Sequence, residues 1–207
     1  MDYGLYVITD ERLSRGLTHA EIARRAVAGG VDVIQLRDKR CDCAYLHRCA
    51  AEIRGIADAA DVRFIVNDRL DVALHAAADG VHLGREDTPL RFARRLAPRL
   101  IIGASAGTLA EALEAERDGA DYVGLGPIYP TASKADAGEA RGPDLIREVK
   151  ARLSIPVVAI GGISDRNVAE ALAAGADGIA VISAVVSQED VTAAARRLKD
   201  IVVSCRR

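Results

Sequence analysis

The chain has 207 residues, of which 50% are hydrophobic and 28% are charged, and its formal net charge at pH 7 is −2. These totals favour one globular domain over residues 1–207, and the near-neutral charge gives no reason to expect nucleic acid or a membrane as a partner. Since no apolar run approaches the roughly 18 residues of a membrane span, and no basic segment precedes an apolar one at the start, we expect a cytoplasmic protein.

Short apolar runs alternate with amphipathic segments throughout the chain. Most of the runs are nearly continuous in Val, Ile and Leu, which is typical of strands buried on both faces of a parallel sheet. The runs predict eight strands, at Leu5–Ile8, Val33–Leu36, Phe64–Val66, Gly80–Leu83, Leu100–Ile102, Tyr122–Leu125, Pro156–Ile160 and Gly178–Ile182. Helices are expected between them.

Several helix starts are marked by residues that favour them. Thr18 with Glu21, and Thr108 with Glu111, have the spacing of a capping box. A proline at the first helical position or a serine at the N-cap predicts three more starts, at Pro89, Pro143 and Ser164.

A weak internal repeat leads into every second strand. The segments 30–33, 78–81, 120–123 and 176–179 each contain an aspartate and introduce strands two, four, six and eight. Recurrence at every second strand indicates a barrel built from similar βαβα quarters. The sequence therefore predicts an α/β fold with a single (β/α)8 TIM barrel. A doubly wound open sheet is the alternative, although it rarely needs eight βα units.

The second strand ends in polar side chains, at the end of the barrel where active sites lie. Because side chains alternate along a strand, Gln35, Arg37 and Lys39 share one face, which must point into the barrel mouth. Burying two cations there without a partner is costly, so we expect a multiply charged anion to bind them. A structural ion pair with Asp10 or Asp68 is the alternative.

Asp68 and Asp87 follow the third and fourth strands, which are neighbours. Two carboxylates at one mouth repel each other unless a cation separates them. Mg²⁺ binds one or two carboxylates together with substrate phosphate oxygens, and would reconcile these aspartates with the cations of the second strand. The pattern therefore points to Mg²⁺ as a cofactor, with ordinary solvated carboxylates as the alternative.

A second anion site is predicted after the seventh and eighth strands, where TIM barrels commonly bind phosphate. The Gly161-Gly162 turn lets backbone N–H groups approach a ligand closely. Ser183 is placed to begin a helix whose N-terminal dipole favours negative charge. The small, polar segment 130–138, which contains Lys134, is expected to be a mobile loop over the mouth. An ordinary solvated loop is the alternative.

The remaining reactive side chains receive no catalytic role from the sequence. The cysteines lack the spacing of a zinc site, and we expect free thiols at Cys41, Cys43, Cys49 and Cys205. The histidines are interpreted as structural, because none lies beside a candidate nucleophile.

With these strand ends in place, the sequence resembles the thiamine phosphate synthase family from end to end. The Gly-Pro-Ile-Tyr-Pro-Thr segment at 126–131 and the Asn-Asp-Arg segment at 67–69 are specific in combination. The other matching segments are 6–10, 35–39, 80–84, 86–87, 133–134, 159–163 and 181–183. The resemblance implies a transferase that joins a pyrimidine diphosphate to a thiazole phosphate by a dissociative substitution, which needs no protein nucleophile and no general base.

The resemblance also implies a role for each matched position. The pyrimidine diphosphate would be bound by Gln35, Arg37, Lys39, Asn67 and Ser105. The thiazole phosphate and the leaving diphosphate would both meet a loop that contains Thr131, Ser133 and Lys134. The thiazole phosphate would also be bound by Gly162, Ile182 and Ser183. The Mg²⁺ ligands would be Asp68 and Asp87. The residues expected to be catalytic are Arg37, Lys39, Lys134 and Ser105.

Three positions depart from the family pattern. Ser133 replaces a common Thr, Arg85 stands where Gln is frequent, and Gly107 stands where His is frequent. The thiazole tautomerases of the same superfamily use a His after the fifth strand and need no metal pair, so Gly107 and the two aspartates favour the synthase. A sugar-phosphate epimerase or isomerase and a non-catalytic sensor of thiamine precursors are further alternatives. The sequence leaves open whether the thiazole carries an extra carboxylate and whether the chain forms a homo-oligomer.

Overall fold

The structure, a computed structural model, describes residues 3–133 and 138–206. Within these ranges, parallel strands form one closed barrel in which each strand pairs with the next in sequence. The segments Leu5–Ile8 and Gly178–Val181, which are the first and last strands, also pair with each other. This closing ladder confirms the predicted (β/α)8 barrel and excludes the doubly wound open sheet.

Helices and strands alternate along the described residues until the eighth strand, which two helices follow. The strands are β1 (Leu5–Ile8), β2 (Val33–Leu36), β3 (Arg63–Asn67), β4 (Gly80–Leu83), β5 (Ile101–Ala106), β6 (Tyr122–Leu125), β7 (Val157–Ile160) and β8 (Gly178–Val181). The helices are α1 (His19–Ala28), α2 (Cys43–Asp58), α3 (Leu70–His75), α4 (Leu90–Leu96), α5 (Leu109–Arg117), α6 (Asp144–Lys150), α7 (Val168–Ala173), α8 (Ser183–Val186) and α9 (Val191–Cys205). Within the described ranges, none of the helices combines the length and apolar character that a membrane span requires.

The fifth strand is longer than the apolar pattern predicts. The pattern ends the strand at Ile102, because the glycine, alanine and serine that follow are not typical strand residues, but β5 continues to Ala106. The ladder with β6 is the reason, since Ser105 pairs with Gly124 and Ala106 pairs with Leu125. Ser105 therefore lies on a strand held by its neighbour and not in a loop.

The two predicted capping boxes have different outcomes. At the start of α1, the Thr18 N–H donates to Glu21 Oε2 at 2.8 Å and the Glu21 N–H donates to Thr18 Oγ1 at 3.3 Å, so the box is confirmed. At the start of α5, the Glu111 N–H donates to Thr108 Oγ1 at 3.2 Å. The Glu111 carboxylate, however, accepts the Gly107 N–H at 2.6 Å, so it caps a neighbouring residue.

The three single-residue start signals are displaced from their predicted positions. Pro89 and Pro143 occupy the N-cap and not the first helical position. The prediction that Ser164 caps the next helix is wrong, because α7 begins at Val168 with Asn167 as its N-cap. Ser164 instead begins the preceding turn, in which its carbonyl accepts the N–H groups of Asn167 and Val168.

Aromatic side chains fill the interior of the barrel. Tyr6 and Tyr122 are both buried, and the Tyr122 ring lies against the backbone of Gly103 on β5. A Cβ atom at Gly103 would lie 2.2 Å from Cζ of that ring. Gly103 therefore provides the space in which the Tyr122 ring packs.

Replacing Gly103 with Ala should lower the free energy of unfolding by about 1–3 kcal/mol, because the buried ring must shift to admit a methyl group. Gly55 is the matched control, since it is an exposed residue of α2 and a Cβ there meets nothing within 4 Å. Gly55→Ala should therefore stabilise the protein by about 0.5–1 kcal/mol. Urea unfolding measures both effects, and equal changes in the two variants would contradict this account of Gly103.

Candidate active site

The loops that follow the strands surround a cavity of about 890 Å³ at the carboxyl end of the barrel. Most of the predicted site residues line this cavity, namely Arg37, Lys39, Asn67, Asp68, Asp87, Ser105, Thr131, Ser133, Gly162, Ile182 and Ser183. Gln35 lies deeper in the barrel and is 2% exposed. Lys134 lies outside the described residues. The two predicted anion sites thus border one common space.

Arg37 is held at the mouth by an ion pair with Asp10. Its Nη1 lies 3.1 Å from Asp10 Oδ2, and the two side chains are 11% and 7% exposed. The other carboxylate oxygen of Asp10 accepts the N–H groups of Arg12 and Leu13 at 3.0 and 3.2 Å, which orients the group. The structural ion pair left open by the sequence is therefore present. It does not exclude an anion, because a guanidinium carries several further N–H donors.

The second cation, Lys39, contacts one of the predicted metal ligands. Its Nζ lies 3.6 Å from Asp68 Oδ2, and its side chain is 50% exposed. Burial and the neighbouring Asp87 carboxylate raise the pKa of Asp68 to about 6, although Lys39 and Arg37 act in the opposite direction. Lys39 and Arg37 therefore do not cancel the effect of burial and of Asp87 on the pKa of Asp68. Two neighbouring carboxylates supply the oxygen ligands that a divalent ion such as Mg²⁺ prefers.

The backbone places both aspartates at the ends of their strands. Asp68 follows β3 with a φ of 62°, in the left-handed region, and its N–H donates to the carbonyl of His82 at 2.8 Å. Aspartate adopts this region more readily than most residues with a side chain. The Asp87 carboxylate accepts the Gly84 N–H at 2.7 Å. A hydrogen bond therefore fixes the main chain of Asp68 at the mouth, and another orients the carboxylate of Asp87.

The raised pKa of Asp68 predicts how the stability of the metal-free protein depends on pH. A carboxyl group with a folded pKa above its unfolded value destabilises the fold when it ionises, so the free energy of unfolding should fall as pH rises from about 3.8 to about 6. Asp87→Asn removes the neighbouring charge and should flatten this part of the profile. Urea unfolding in EDTA measures both profiles, and identical slopes would show that the carboxylates do not interact.

A chain of hydrogen bonds crosses the barrel beneath the cavity. Gln35 Nε2 donates to the Tyr6 hydroxyl at 2.6 Å, and the hydroxyls of Tyr6 and Tyr122 are 3.0 Å apart. Tyr122 in turn contacts His82 Nδ1 at 3.1 Å, and His82 Nε2 contacts Ser105 Oγ at 3.0 Å. Burial raises the pKa of both Tyr6 and Tyr122, so the phenols remain protonated. The chain joins Gln35 to a serine that lines the cavity.

Sequence reasoning missed the side chains in the middle of this series of hydrogen bonds. Tyr6 and Tyr122 count towards the apolar runs of their strands, and His82 is interpreted as an isolated structural histidine. The available signal was a polar atom at an inward-facing strand position, because a buried polar group needs a hydrogen-bond partner. Gln35 itself lines a small cavity of about 20 Å³ that shares Ser105 with the larger one.

The loops after β6 and β7 pack closely at the second predicted anion site. Gly161 and Gly162 have φ values of 96° and 64°, and a Cβ on Gly162 would lie 2.5 Å from the carbonyl oxygen of Pro130. Ser183 is the first residue of α8, and the Ser133 hydroxyl donates to Ser183 Oγ at 3.0 Å. The structure therefore brings together the segments after β6, β7 and β8, as the sequence predicts.

Two positions that depart from the family pattern meet at the rim of the cavity. Arg85 Nη1 lies 2.7 Å from the Glu111 carboxylate, which also accepts the Gly107 N–H. Glu111 lines the cavity too. Sequence reasoning missed it as a site residue because its capping-box spacing already explained it.

Known proteins that resemble this chain do so over nearly its full length. The thiamine-phosphate synthase of Methanocella arvoryzae is 70% identical over 98% of this chain and 96% of that protein. The thiamine-phosphate synthase of Methanospirillum hungatei is 56% identical over 98% of this chain and 99% of that protein. A solved structure of thiamine phosphate pyrophosphorylase from Pyrococcus furiosus is 46% identical, covers 98% of this chain and 96% of its own, and superposes with a TM-score of 0.92.

A closed barrel with its charged side chains gathered at the carboxyl ends of the strands is the architecture of a (β/α)8-barrel enzyme. The sequence profile described as thiamine monophosphate synthase matches residues 5–185. The chain therefore belongs to the thiamine monophosphate synthase family, and it is an enzyme of the transferase class. The family resemblance seen in the sequence is confirmed.

Proposed function

We propose that this chain condenses 4-amino-2-methyl-5-hydroxymethylpyrimidine diphosphate with 4-methyl-5-hydroxyethylthiazole phosphate, or its carboxylated form, to give thiamine phosphate and diphosphate. The observation that supports this proposal is one cavity whose lining includes residues of both predicted anion sites. Arg37 and Lys39 border it on one side, and Gly162 and Ser183 border it on another. A reaction between two phosphorylated substrates needs two such sites close together, because the reacting atoms must be held in line.

The proposed reaction requires charge stabilisation and alignment. The bond between the pyrimidine methylene carbon and the diphosphate oxygen breaks first, and the electron pair leaves with the diphosphate. The thiazole nitrogen then donates its lone pair to the methylene cation. This nitrogen has no proton to lose, so the step needs no general base. Arg37 and Lys39 would stabilise the departing charge, and Lys134 keeps the same proposed role from its sequence alone.

The other predicted residues are proposed to hold the two substrates. The pyrimidine side would be bound by Gln35, Asn67 and Ser105, and the thiazole phosphate side by Thr131, Ser133, Gly162, Ile182 and Ser183. The position of Ser105 on β5 supports this assignment, because a group on a paired strand is held more precisely than one on a loop.

Asp68 and Asp87 are proposed to hold Mg²⁺. Their common position on the cavity wall supports this assignment, and the proximity of Asp87 contributes to the raised pKa of Asp68. When bound, the ion would neutralise charge on the diphosphate.

We also propose a cytoplasmic location and the two small-molecule substrates as partners, with no nucleic acid and no membrane, and we leave open a homo-oligomer. The cysteines Cys41, Cys43, Cys49 and Cys205 are free thiols, as expected in a reducing compartment. The formal net charge of −2 offers no general attraction to polyanions.

One assay tests the proposed reaction. The protein is incubated with the pyrimidine diphosphate, the thiazole phosphate and Mg²⁺, and thiamine phosphate and diphosphate are quantified by chromatography. We expect equal amounts of the two products and none when EDTA replaces Mg²⁺. Isomerisation of the thiazole without the pyrimidine would favour the tautomerase alternative, against which Gly107 already argues. No product at saturating substrate would refute the synthase proposal.

A further inference from the structure

Three potential metal ligands, Cys43, His47 and Asp71, meet between α2 and α3, and His75 lies beside them. Cys43 and His47 are one turn apart on α2, and Asp71 and His75 are one turn apart on α3, so each pair shares a helix face. One ligand atom from each of Cys43, His47 and Asp71 lies within 4.8 Å of the others. The His75 ring packs edge-on against His47, with the ring centroids 4.7 Å apart. None of the four is among the described residues that line the mouth cavity.

His47 carries an atom that lacks the partner it needs. Its Nδ1 is buried and makes no hydrogen bond to any residue within 3–133 or 138–206. Buried polar atoms nearly always have a partner, so an exception requires an explanation. Imidazole nitrogens are good ligands for zinc and its neighbours in the first transition series. Nδ1 is one of the two His47 atoms that could coordinate such an ion.

Arg69 already bridges this cluster, which shows that the cluster accepts positive charge. Its Nη2 donates to Cys43 Sγ at 3.3 Å, and its Nε and Nη2 donate to the Asp71 carboxylate at 2.9 and 2.5 Å. The Arg69 side chain is 42% exposed and the Asp71 side chain 60% exposed. An ion pair this exposed is weak. A cation that forms direct bonds to several ligands could therefore displace the guanidinium into solvent.

We propose that Cys43, His47 and Asp71, with His75 as the fourth ligand, form a site for a transition metal ion of the Zn²⁺ class, separate from the proposed Mg²⁺ site. Thiolate and imidazole suit Zn²⁺ and discriminate against Mg²⁺, which prefers oxygen ligands. Tetrahedral Zn²⁺ with bonds of about 2.0–2.3 Å places its ligand atoms about 3.3–3.8 Å apart. The three side chains therefore need to close by at most about 1.5 Å, which their exposed or half-buried positions permit.

Cobalt titration of the whole protein tests this site without reference to catalysis. Co²⁺ substitutes for Zn²⁺ and gives a thiolate-to-cobalt charge-transfer band in the near ultraviolet. In a phosphine reductant, with excess Mg²⁺ to fill the carboxylate site, we expect the charge-transfer band to saturate at one Co²⁺ per chain and excess Zn²⁺ to abolish it. Cys43→Ser should remove the band, while Cys41→Ser, the matched control two residues earlier, should retain it.

The other ligands have their own expected effects. Changes to groups that merely support a metal ligand cost about 10- to 100-fold in affinity, so His47→Ala and Asp71→Asn should weaken Co²⁺ binding by at least that factor. Arg69→Ala should strengthen binding, because it removes the competing cation. Thermal unfolding in EDTA should be the same for Cys43→Ser and the unmodified protein, which shows that a lost band is not a lost fold.

Two results would overturn the proposal. One is a titration that gives no charge-transfer band in either the unmodified protein or Arg69→Ala. The other is a band that survives Cys43→Ser, since the thiolate would then come from elsewhere. Either result would leave this cluster as an ion pair between Arg69 and Asp71 with a neighbouring thiol.

Discussion

Replacing Asp87 with Asn should lower kcat by about 10²–10³-fold, the size of effect seen when one charge-stabilising group is lost from an active site. The amide keeps an oxygen that can accept the Gly84 N–H, so the loop after β4 should stay in place. What the variant loses is the negative charge that would help to hold Mg²⁺ near the departing diphosphate. Initial rates at saturating substrate, measured over a range of Mg²⁺ concentrations, show the size and origin of the defect.

Asp58→Asn is the control for this variant. Asp58 ends α2, is 65% exposed and forms an ion pair with Arg54 of the same helix. Its replacement should leave kcat unchanged. Recovery of the Asp87 variant at high Mg²⁺ would place the defect in metal affinity. Full activity at ordinary Mg²⁺ would remove Asp87 from the proposed metal site.

Arg37→Gln should lower kcat/KM for the pyrimidine diphosphate by a similar factor, about 10²–10³-fold, because the guanidinium is proposed to bind the diphosphate as its charge develops. The change also has a structural cost. It leaves the buried Asp10 carboxylate without its counterion, and breaking a buried pair from one side destabilises by about 3–5 kcal/mol. Steady-state kinetics and urea unfolding of the same variant measure the two losses separately.

The double variant Arg37→Gln with Asp10→Asn decides between a structural and a catalytic role for Arg37. It removes both charges, so the stability lost in the single variant should largely return. If the guanidinium acts on the diphosphate, activity stays low in the double variant. If Arg37 serves only as the partner of Asp10, activity returns together with stability, and the proposed role is wrong.

The barrel could be predicted because a parallel strand that is buried on both faces is a short, nearly continuous run of apolar residues in the sequence. Eight apolar runs that alternate with helix starts leave few other ways to arrange the chain. The errors arose where neighbouring strands or turns overrode local preference. β5 extends through Ser105 because β6 supplies hydrogen-bond partners, and α7 starts after Ser164 because the turn before it uses that residue's carbonyl. Neither partner is visible from local sequence.

The candidate site could be predicted where charge appears at a strand end. Arg37, Lys39, Asp68 and Asp87 lie around one cavity because the carboxyl ends of all the strands open at one end of the barrel. The sequence left two interpretations of Arg37, an anion ligand or an ion pair with an aspartate, because side-chain conformations determine whether the ion pair with Asp10 forms. The polar groups inside the strands were missed because the rings of Tyr6, His82 and Tyr122 fit the apolar pattern of the core apart from the single hydroxyl of each tyrosine and the two nitrogens of the histidine.

The chain of hydrogen bonds beneath the cavity also has a direction. The Gln35 amide nitrogen can only donate, so the Tyr6 oxygen accepts a hydrogen bond from it. The Tyr6 hydroxyl then donates its own hydrogen to the Tyr122 hydroxyl. Tyr122 then donates to His82 Nδ1, which leaves the proton of that imidazole on Nε2, pointing at Ser105 Oγ. Nitrogen-15 NMR should find this tautomer, and the opposite one would reverse the chain.

If the chain runs in this direction, Ser105 receives a hydrogen bond from below and offers its own hydrogen to the cavity. A glutamine on the second strand would then determine, from across the barrel, that the ligand meets a hydrogen-bond donor at Ser105. A carboxylate at the position of Gln35 would reverse the direction of every hydrogen bond in the series. Ser105 would then accept a hydrogen bond from the ligand.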